Sequence, residues 1–262
     1  MLVYPQLATG ALSQFPVQKR RRLRTVVNTS LDGRAIKLAD PAAEITEWQL
    51  AYAGLTDDEV AALEQFFAAT EGTLNSFTFL DPTGNLFAWS DKLDNAAWAK
   101  DPFFSIAGGI ADPAGGTNAW HLTDSGAGAQ NISQTLSAPA GYLYCLSVFA
   151  RSPQPTAVTL LHGTNRADRT LGTNWSRITV TASGDASAES IAFGMELPAG
   201  GSADAFGLQV EPQAGGSVYK ATTTGGVYEN ARFRDDALSI TTTGVNCHSA
   251  TVDIIYANNL RS

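Results

Sequence analysis

A change of composition, later reversed, constrains this chain more than any single motif. Up to about residue 85 the sequence is strand-rich and holds the one convincing helix signal. From Leu86 to about Gly226 it turns rich in Gly, Ala, Ser and Thr, in short alternating runs. Charge then returns in Tyr228-Glu229-Asn230-Ala231-Arg232-Phe233-Arg234-Asp235-Asp236, followed by two further strand-like runs. A tail of ~35 residues is too short to bury a core of its own. The simplest organisation is therefore one domain, 1–85 completed by 227–262, interrupted by an inserted domain, 86–226.

Bulk properties narrow the classes. Of the 262 residues, 44% are hydrophobic, as in a globular protein, and only 16% are charged, against about 25% usually. With 24 Gly, many turns are expected. A net charge of -8 argues against general nucleic-acid affinity. No apolar run approaches the ~18–20 residues that span a bilayer, so no membrane insertion is expected. The start, Met1-Leu2-Val3-Tyr4-Pro5-Gln6, lacks a secretory pattern, and synthesis and folding in the cytoplasm are expected. Cys145 and Cys247 fall in different expected domains and read as reduced thiols.

The basic run Lys19-Arg20-Arg21-Arg22-Leu23-Arg24 admits two readings. It could be a phosphate-binding patch. It could equally be a strand edge whose cations deter sheet-to-sheet aggregation or pair with acids of a neighbouring subunit. No stacking aromatics are interleaved, which favours the second reading. Arg20, Arg22 and Arg24 become candidate oligomer-interface residues.

Arg24 to Thr29 is β-branched and leads to Asp32-Gly33, a hairpin signal. Arg34 to Asp40 alternates and is expected to stop at Pro41, with a third strand from Glu44 to Ala53. Thr56-Asp57-Asp58-Glu59 is a capping box. Val60, Leu63, Phe66 and Phe67 form one apolar helical stripe, and Gly72 is placed to end it. Phe77–Leu80 reads as a strand before Asp81-Pro82-Thr83-Gly84, a turn. In the middle block, strands are expected at Ala129–Leu136, Tyr142–Arg151, Ala157–His162, Ser176–Thr181, Ser190–Glu196 and Ala205–Gln209. Leu238–Thr241 and Ser249–Tyr256 follow. The expected fold class is mainly β: a β-sandwich trunk with one packed α-helix, interrupted by an inserted jelly-roll β-sandwich.

Signatures of catalysis are missing. His121, His162 and His248 stand alone, and there is no paired Cys arrangement for metal. Neither a Gly-x-Ser-x-Gly elbow nor a phosphate-cradling loop occurs. Asp57, Asp58 and Glu59 read as capping acids, and nothing fixes coordination around Asp204 or Glu211. The expectation is no enzyme, no metal and no cofactor.

Four stretches of the middle block resemble the carbohydrate-binding-like jelly-roll modules of phage tail and fibre proteins. They are Leu86 to Lys100, Asp112 to Thr123, Ile132 to Leu136 with Gly141 and Tyr144 to Ala150, and Ala205 to Glu211 ending at Tyr219. The flanks are similar to phage and gene-transfer-agent distal tail proteins. That likeness rests on Asp32-Gly33-Arg34, Trp48 to Tyr52, Leu63 to Phe67, Gly72 and Phe77 to Pro82. The resemblance implies a virion-tail component assembled in the host cytoplasm. It implies a self-associated ring, sixfold, between the tail tube and the hub or tip proteins, with DNA passing through without specific binding. An inserted module would either contact host-surface polysaccharide, where weak single sites gain strength from linked copies, or serve only as decoration and ring reinforcement. The alternative is an adhesin or tail-fibre module without a ring role.

Sugar recognition needs an aromatic face for a pyranose and a few polar groups for its hydroxyls. Trp120 departs from the polar residue the related modules carry there, which admits two readings: an exposed stacking platform with His121, or a Trp that covers a neighbouring loop or subunit. Arg151 and His162, with Arg166 and Arg169, are expected near strand ends, where they could bond an acidic glycan or stand as solvated loop charges, the reading their placement favours. The candidate glycan residues are Trp120, His121, Arg151 and His162. The resemblance assigns Trp89, Trp98 and Trp175 to the core.

Overall fold

The computed structural model describes residues 1–257. The chain divides into two compact units: residues 1–8, 12–79 and 228 onward form the first, and residues 9–11 and 80–227 the second. Among the described residues the fold is mainly β with one helix.

The first unit begins with β1 (Val17–Thr29), β2 (Ala35–Leu55), α1 (Asp57–Ala69) and β3 (Phe77–Leu80). Ten strands of the second unit follow in the chain: β4 (Ala99–Lys100), β5 (Phe104–Ile110), β6 (Ala119–Asp124), β7 (Gln130–Leu136), β8 (Tyr144–Arg151), β9 (Thr156–His162), β10 (Asn165–Leu171), β11 (Ser176–Ala182), β12 (Ile191–Leu197) and β13 (Ser202–Glu211). The first unit then resumes with β14 (Val227–Phe233), β15 (Ile240–Gly244) and β16 (Cys247–Ala257).

In the first unit, six strands share one sheet in the order β1-β2-β16-β14-β3, with β15 paired to β16. β16 runs antiparallel to β2 from His248 opposite Leu55 to Ala257 opposite Ile45. The expected break at Pro41 does not occur, and β2 continues through it. Pro41 lies where the β1–β2 register jumps between Arg22↔Ile45 and Arg24↔Asp40, and at such an irregularity a missing N–H costs no ladder bond.

The capping box forms as expected. Thr56 Oγ1 accepts from the Glu59 amide at 3.2 Å, and Glu59 Oε2 accepts from the Thr56 amide at 3.0 Å. Gly72, at φ +63°, follows the helix end. Of the apolar stripe, Leu63 is buried, and Phe66 and Phe67 join an edge-to-face cluster with Tyr4, Phe77 and Phe233. Trp48 extends this core through Phe79. Tyr4 and Tyr52 share a buried hydroxyl–hydroxyl bond at 2.9 Å.

The second unit is a sandwich of two five-stranded antiparallel sheets, β10-β9-β12-β7-β4 and β11-β8-β13-β6-β5. The chain passes repeatedly from one sheet to the other, which is a jelly roll. Alternate residues meet between the sheets: Tyr144 of β8 contacts His162 of β9 and Phe193 of β12, and Phe87 packs on Trp98 and Phe193. The six strands expected in this block all occur, each within a few residues of its expected ends. β4, β5, β6 and β10 lie outside the expected strands. β5 carries two glycines, and β10, an edge strand, alternates charge with exposure instead of burying an apolar face.

Candidate functional site

The outward face of the β11-β8-β13-β6-β5 sheet follows from strand alternation. Leu122, Ala203, Ala205, Val148 and Ala150 are buried between the sheets, so His121 of β6, Asp204 of β13 and Arg151 of β8 point outward. Register places Asp204 opposite both His121 and Arg151, making one row across three adjacent strands. The Asp204 carboxylate serves both neighbours. Oδ1 lies 2.8 Å from His121 Nδ1, and Oδ2 accepts from Arg151 Nε at 2.9 Å. The His121 side chain is 39% exposed and that of Arg151 32%.

Aromatic rings border the row. The Arg151 guanidinium lies 4.7 Å from the centroid of the Trp175 ring, just before β11. Phe149 and Phe206 lie 6.2 Å apart, and Tyr219 meets Phe206 edge-on at 5.2 Å. All four rings are half-buried. Tyr219 arrives on the segment after β13, and Gly207, at φ +69°, leaves room for it: a Cβ there would sit 3.0 Å from the ring. Burial pushes the Tyr219 phenol up to about 12, against the opposing effect of its Ser90 hydrogen bond. The phenol is neutral at ordinary pH.

A second polar group ties that segment down. Arg177 lies over Phe149, donates to Ser147 Oγ at 2.8 Å and binds the Ser217 carbonyl. The buried Glu211 carboxylate accepts from the Ser217 amide at 2.8 Å and from Gln209 at 2.8 Å. The oxygens of Asp204 and Glu211 are thus engaged by protein donors. Among the described residues no group of three or more His, Cys, Asp or Glu is arranged to hold a metal.

The expected glycan residues separate. His121 and Arg151 come together through Asp204. Trp120, next to His121 in β6, shares a face with the buried Leu122, and its ring lies 3.1 Å from where a Gly108 Cβ would be. Its Nε1 donates to the Asp91 carbonyl at 3.0 Å, and it is half-buried. Trp120 and His121 therefore form no common platform. His162 is a correction: it is fully buried, with neither ring nitrogen hydrogen-bonded, packed 4.8 Å from Phe193. It contacts no ligand from there. Burial holds its pKa below the usual histidine value, offset in part by nearby backbone groups of Tyr144 and Ala182. Arg166 pairs with Glu196, and Arg169 donates to the Thr179 carbonyl at 2.7 Å, so the expected basic cluster is dispersed.

Two tryptophans assigned to the core lie elsewhere. Trp175 borders the outward row, and Trp89 is 38% exposed; Trp98 is buried as expected. Asp204, Trp175, Phe149, Phe206 and Tyr219 also belong to this surface and are not among the candidate glycan residues singled out from sequence. The signal was present: Ile178 and Val180 alternate inward, which turns Trp175 and Arg177 outward. In the first unit, Arg22 pairs with Glu47, Arg24 lies 3.6 Å from Asp40, and Arg20 borders a polar hollow with Gln18, Gln49, Arg234 and Asp253. Arg22 and Arg24 thus meet acids of their own chain.

The second unit is defined as an antiparallel jelly-roll sandwich. No protein-family model matches the chain, and no curated protein does. Among solved structures it is similar to the CBM22-1 xylan-binding domain of Paenibacillus barcinonensis Xyn10C, at 12% identity and TM-score 0.41, over 52% of this chain and 99% of that one. It is also similar to the enzymatically active domain of bacteriophage CBA120 tailspike protein 4, at 12% identity and TM-score 0.38, over 51% of this chain and 22% of that one. A family 16 carbohydrate-binding module matches at 15% identity and TM-score 0.34, over 48% of this chain and 99% of that one. The chain thus spans less than a quarter of the tailspike domain. At such identities and scores, the ligand of one protein says nothing of the ligand of another.

Proposed function

We propose that the chain is a carbohydrate-binding protein whose ligand lies on the outward face of the β11-β8-β13-β6-β5 sheet. The observation that carries this reading is the His121–Asp204–Arg151 row, bordered by Trp175, Phe149, Phe206 and Tyr219. A pyranose presents an apolar C–H face and a rim of hydroxyls, which match rings beside fixed donors and acceptors. The role is binding, without catalysis. A glycosidase needs two carboxylates roughly 5–10 Å apart across a cleft, and both oxygens of Asp204 are held by neighbouring side chains. A glycan array of bacterial surface polysaccharides, followed by calorimetry, tests the reading. Binding that Arg151→Ala weakens about tenfold or more, with unchanged unfolding, supports it. An array without signal at high protein concentration overturns it.

A second reading joins this surface to a structural role. The first unit builds a self-associated, sixfold ring in a virion tail, between the tube and the hub or tip proteins, with DNA passing through unread. The support is the open sheet edge at β1, thirteen residues long and almost wholly exposed. Such an edge is a liability in a lone subunit and an asset in an assembly. Electron microscopy of particles carrying a label on this chain tests it. Label away from the tail removes the ring role and leaves the carbohydrate reading standing.

A further inference from the structure

Trp89 stands on a backbone that does not suit it. Its φ is +50°, in the left-handed region that Gly and Asn enter readily and bulky residues do not. The loop around it is fixed on both sides. The Trp89 carbonyl accepts from the Lys92 amide and from the Trp98 indole, each at 3.0 Å. Before it, Gln134 bonds the amide and the carbonyl of Ala88, at 2.8 and 3.0 Å. After it, the buried Ser90 hydroxyl meets the Tyr219 hydroxyl at 3.0 Å, and the Asp91 carbonyl accepts from the Trp120 indole at 3.0 Å. Such backbone strain persists only where the surroundings impose it, and it gathers at functional sites.

Packing does not account for a tryptophan there. Trp89 is 38% exposed, and among the described residues its indole N–H has no partner. Trp98 and Trp120 give their indole N–H groups to this loop; Trp89 keeps its own. An open indole face with a free N–H can stack on a pyranose and bond one of its hydroxyls. The loop also adjoins the outward row. Ser90 holds Tyr219, which borders the row, and Asp91 holds Trp120, the neighbour of His121 in β6. We propose that Trp89 is a second sugar-stacking residue, and that the ligand is a polysaccharide segment reaching from the row past Tyr219 to this loop. The proposal rests on the carbohydrate reading above and adds to it a subsite and a chain-like ligand. A protein partner is a poorer occupant. The exposed residues next along the chain, Lys92 and Asp94, are charged, whereas the centre of a protein interface is depleted of charge.

The probe is the bacterial surface polysaccharide with the strongest array signal, used whole and as its shortest fragment that still binds. In calorimetric titrations of the full chain, Trp89→Ala and Trp89→Asn should weaken binding of the whole polysaccharide about tenfold or more. Both should leave the affinity for the short fragment unchanged, whereas Arg151→Ala should weaken both ligands. Asn accepts the left-handed backbone, so the circular dichroism of Trp89→Asn should match the parent. Parental affinity of Trp89→Asn for the whole polysaccharide overturns the second subsite and leaves the row standing. Equal losses for the whole and the fragment also overturn it, because Trp89 would then act through the row. Loss of the folded spectrum in both variants makes Trp89 a packing residue and overturns it too. A parent that binds nothing on the array overturns the proposal together with the carbohydrate reading.

Discussion

Asp204 and Arg151 lie directly opposite each other on β13 and β8, and the guanidinium Nε donates to Asp204 Oδ2 at 2.9 Å. The other oxygen of the same carboxylate is held at 2.8 Å by His121. One acid thus fixes two donors whose remaining edges face outward, at no cost of a buried unpaired charge.

Removing that acid should therefore disturb binding more than folding. Asp204→Ala leaves His121 and Arg151 free to move, and glycan affinity is expected to fall about tenfold or more. The pairs are partly solvated, so unfolding free energy should change by no more than about 1 kcal/mol. Calorimetric titration beside urea unfolding separates the two effects.

Gly207 is the backbone counterpart of that arrangement. It adopts φ +69°, and a Cβ would come within 3.0 Å of the Tyr219 ring. Gly207→Val combines left-handed strain with a clash, and a loss of roughly 1–3 kcal/mol is expected. Tyr219 should also become more accessible, which a shift in tyrosine absorbance would report.

The buried His162 sets a pH dependence. Its folded-state pKa is depressed by burial, so above the unfolded value of about 6.5 both states are neutral and it contributes no slope. Below that value the unfolded chain takes up the proton first, and stability falls with pH. Unfolding midpoints from pH 7.5 down to 5 should therefore decline in the parent, and decline less in His162→Phe. Equal slopes would show that His162 is not the responsible group.

At the start of α1, Thr56→Ala removes the acceptor for the Glu59 amide and is expected to cost about 1 kcal/mol, read as a lower denaturant midpoint. Thr56→Ser should keep most of the stability, since the hydroxyl is retained.

Local chemistry was legible wherever a few neighbouring residues decide the outcome. The capping box at Thr56–Glu59, the helix stop near Gly72 and the alternation that marks β7 to β9 and β11 to β13 need no distant partner. The mainly β class followed from them. Strands that lack an apolar face of their own, such as β10, and the continuation of β2 through Pro41 were set by their pairing partners.

The surface row was legible only in part. His121 and Arg151 could be singled out by type, but nothing local says that Asp204, 83 residues after His121, stands between them. Likewise His162 looks like a surface donor in sequence, and only the packing of Tyr144 and Phe193 around it withdraws it from solvent.

By itself the sequence determined periodicity, turns and caps, because these depend on backbone preferences and contacts within a few residues. The tertiary structure alone decided which face of each strand looks outward and which distant side chains meet there. Sheet register fixes those juxtapositions, and register is a property of paired strands that no single segment carries.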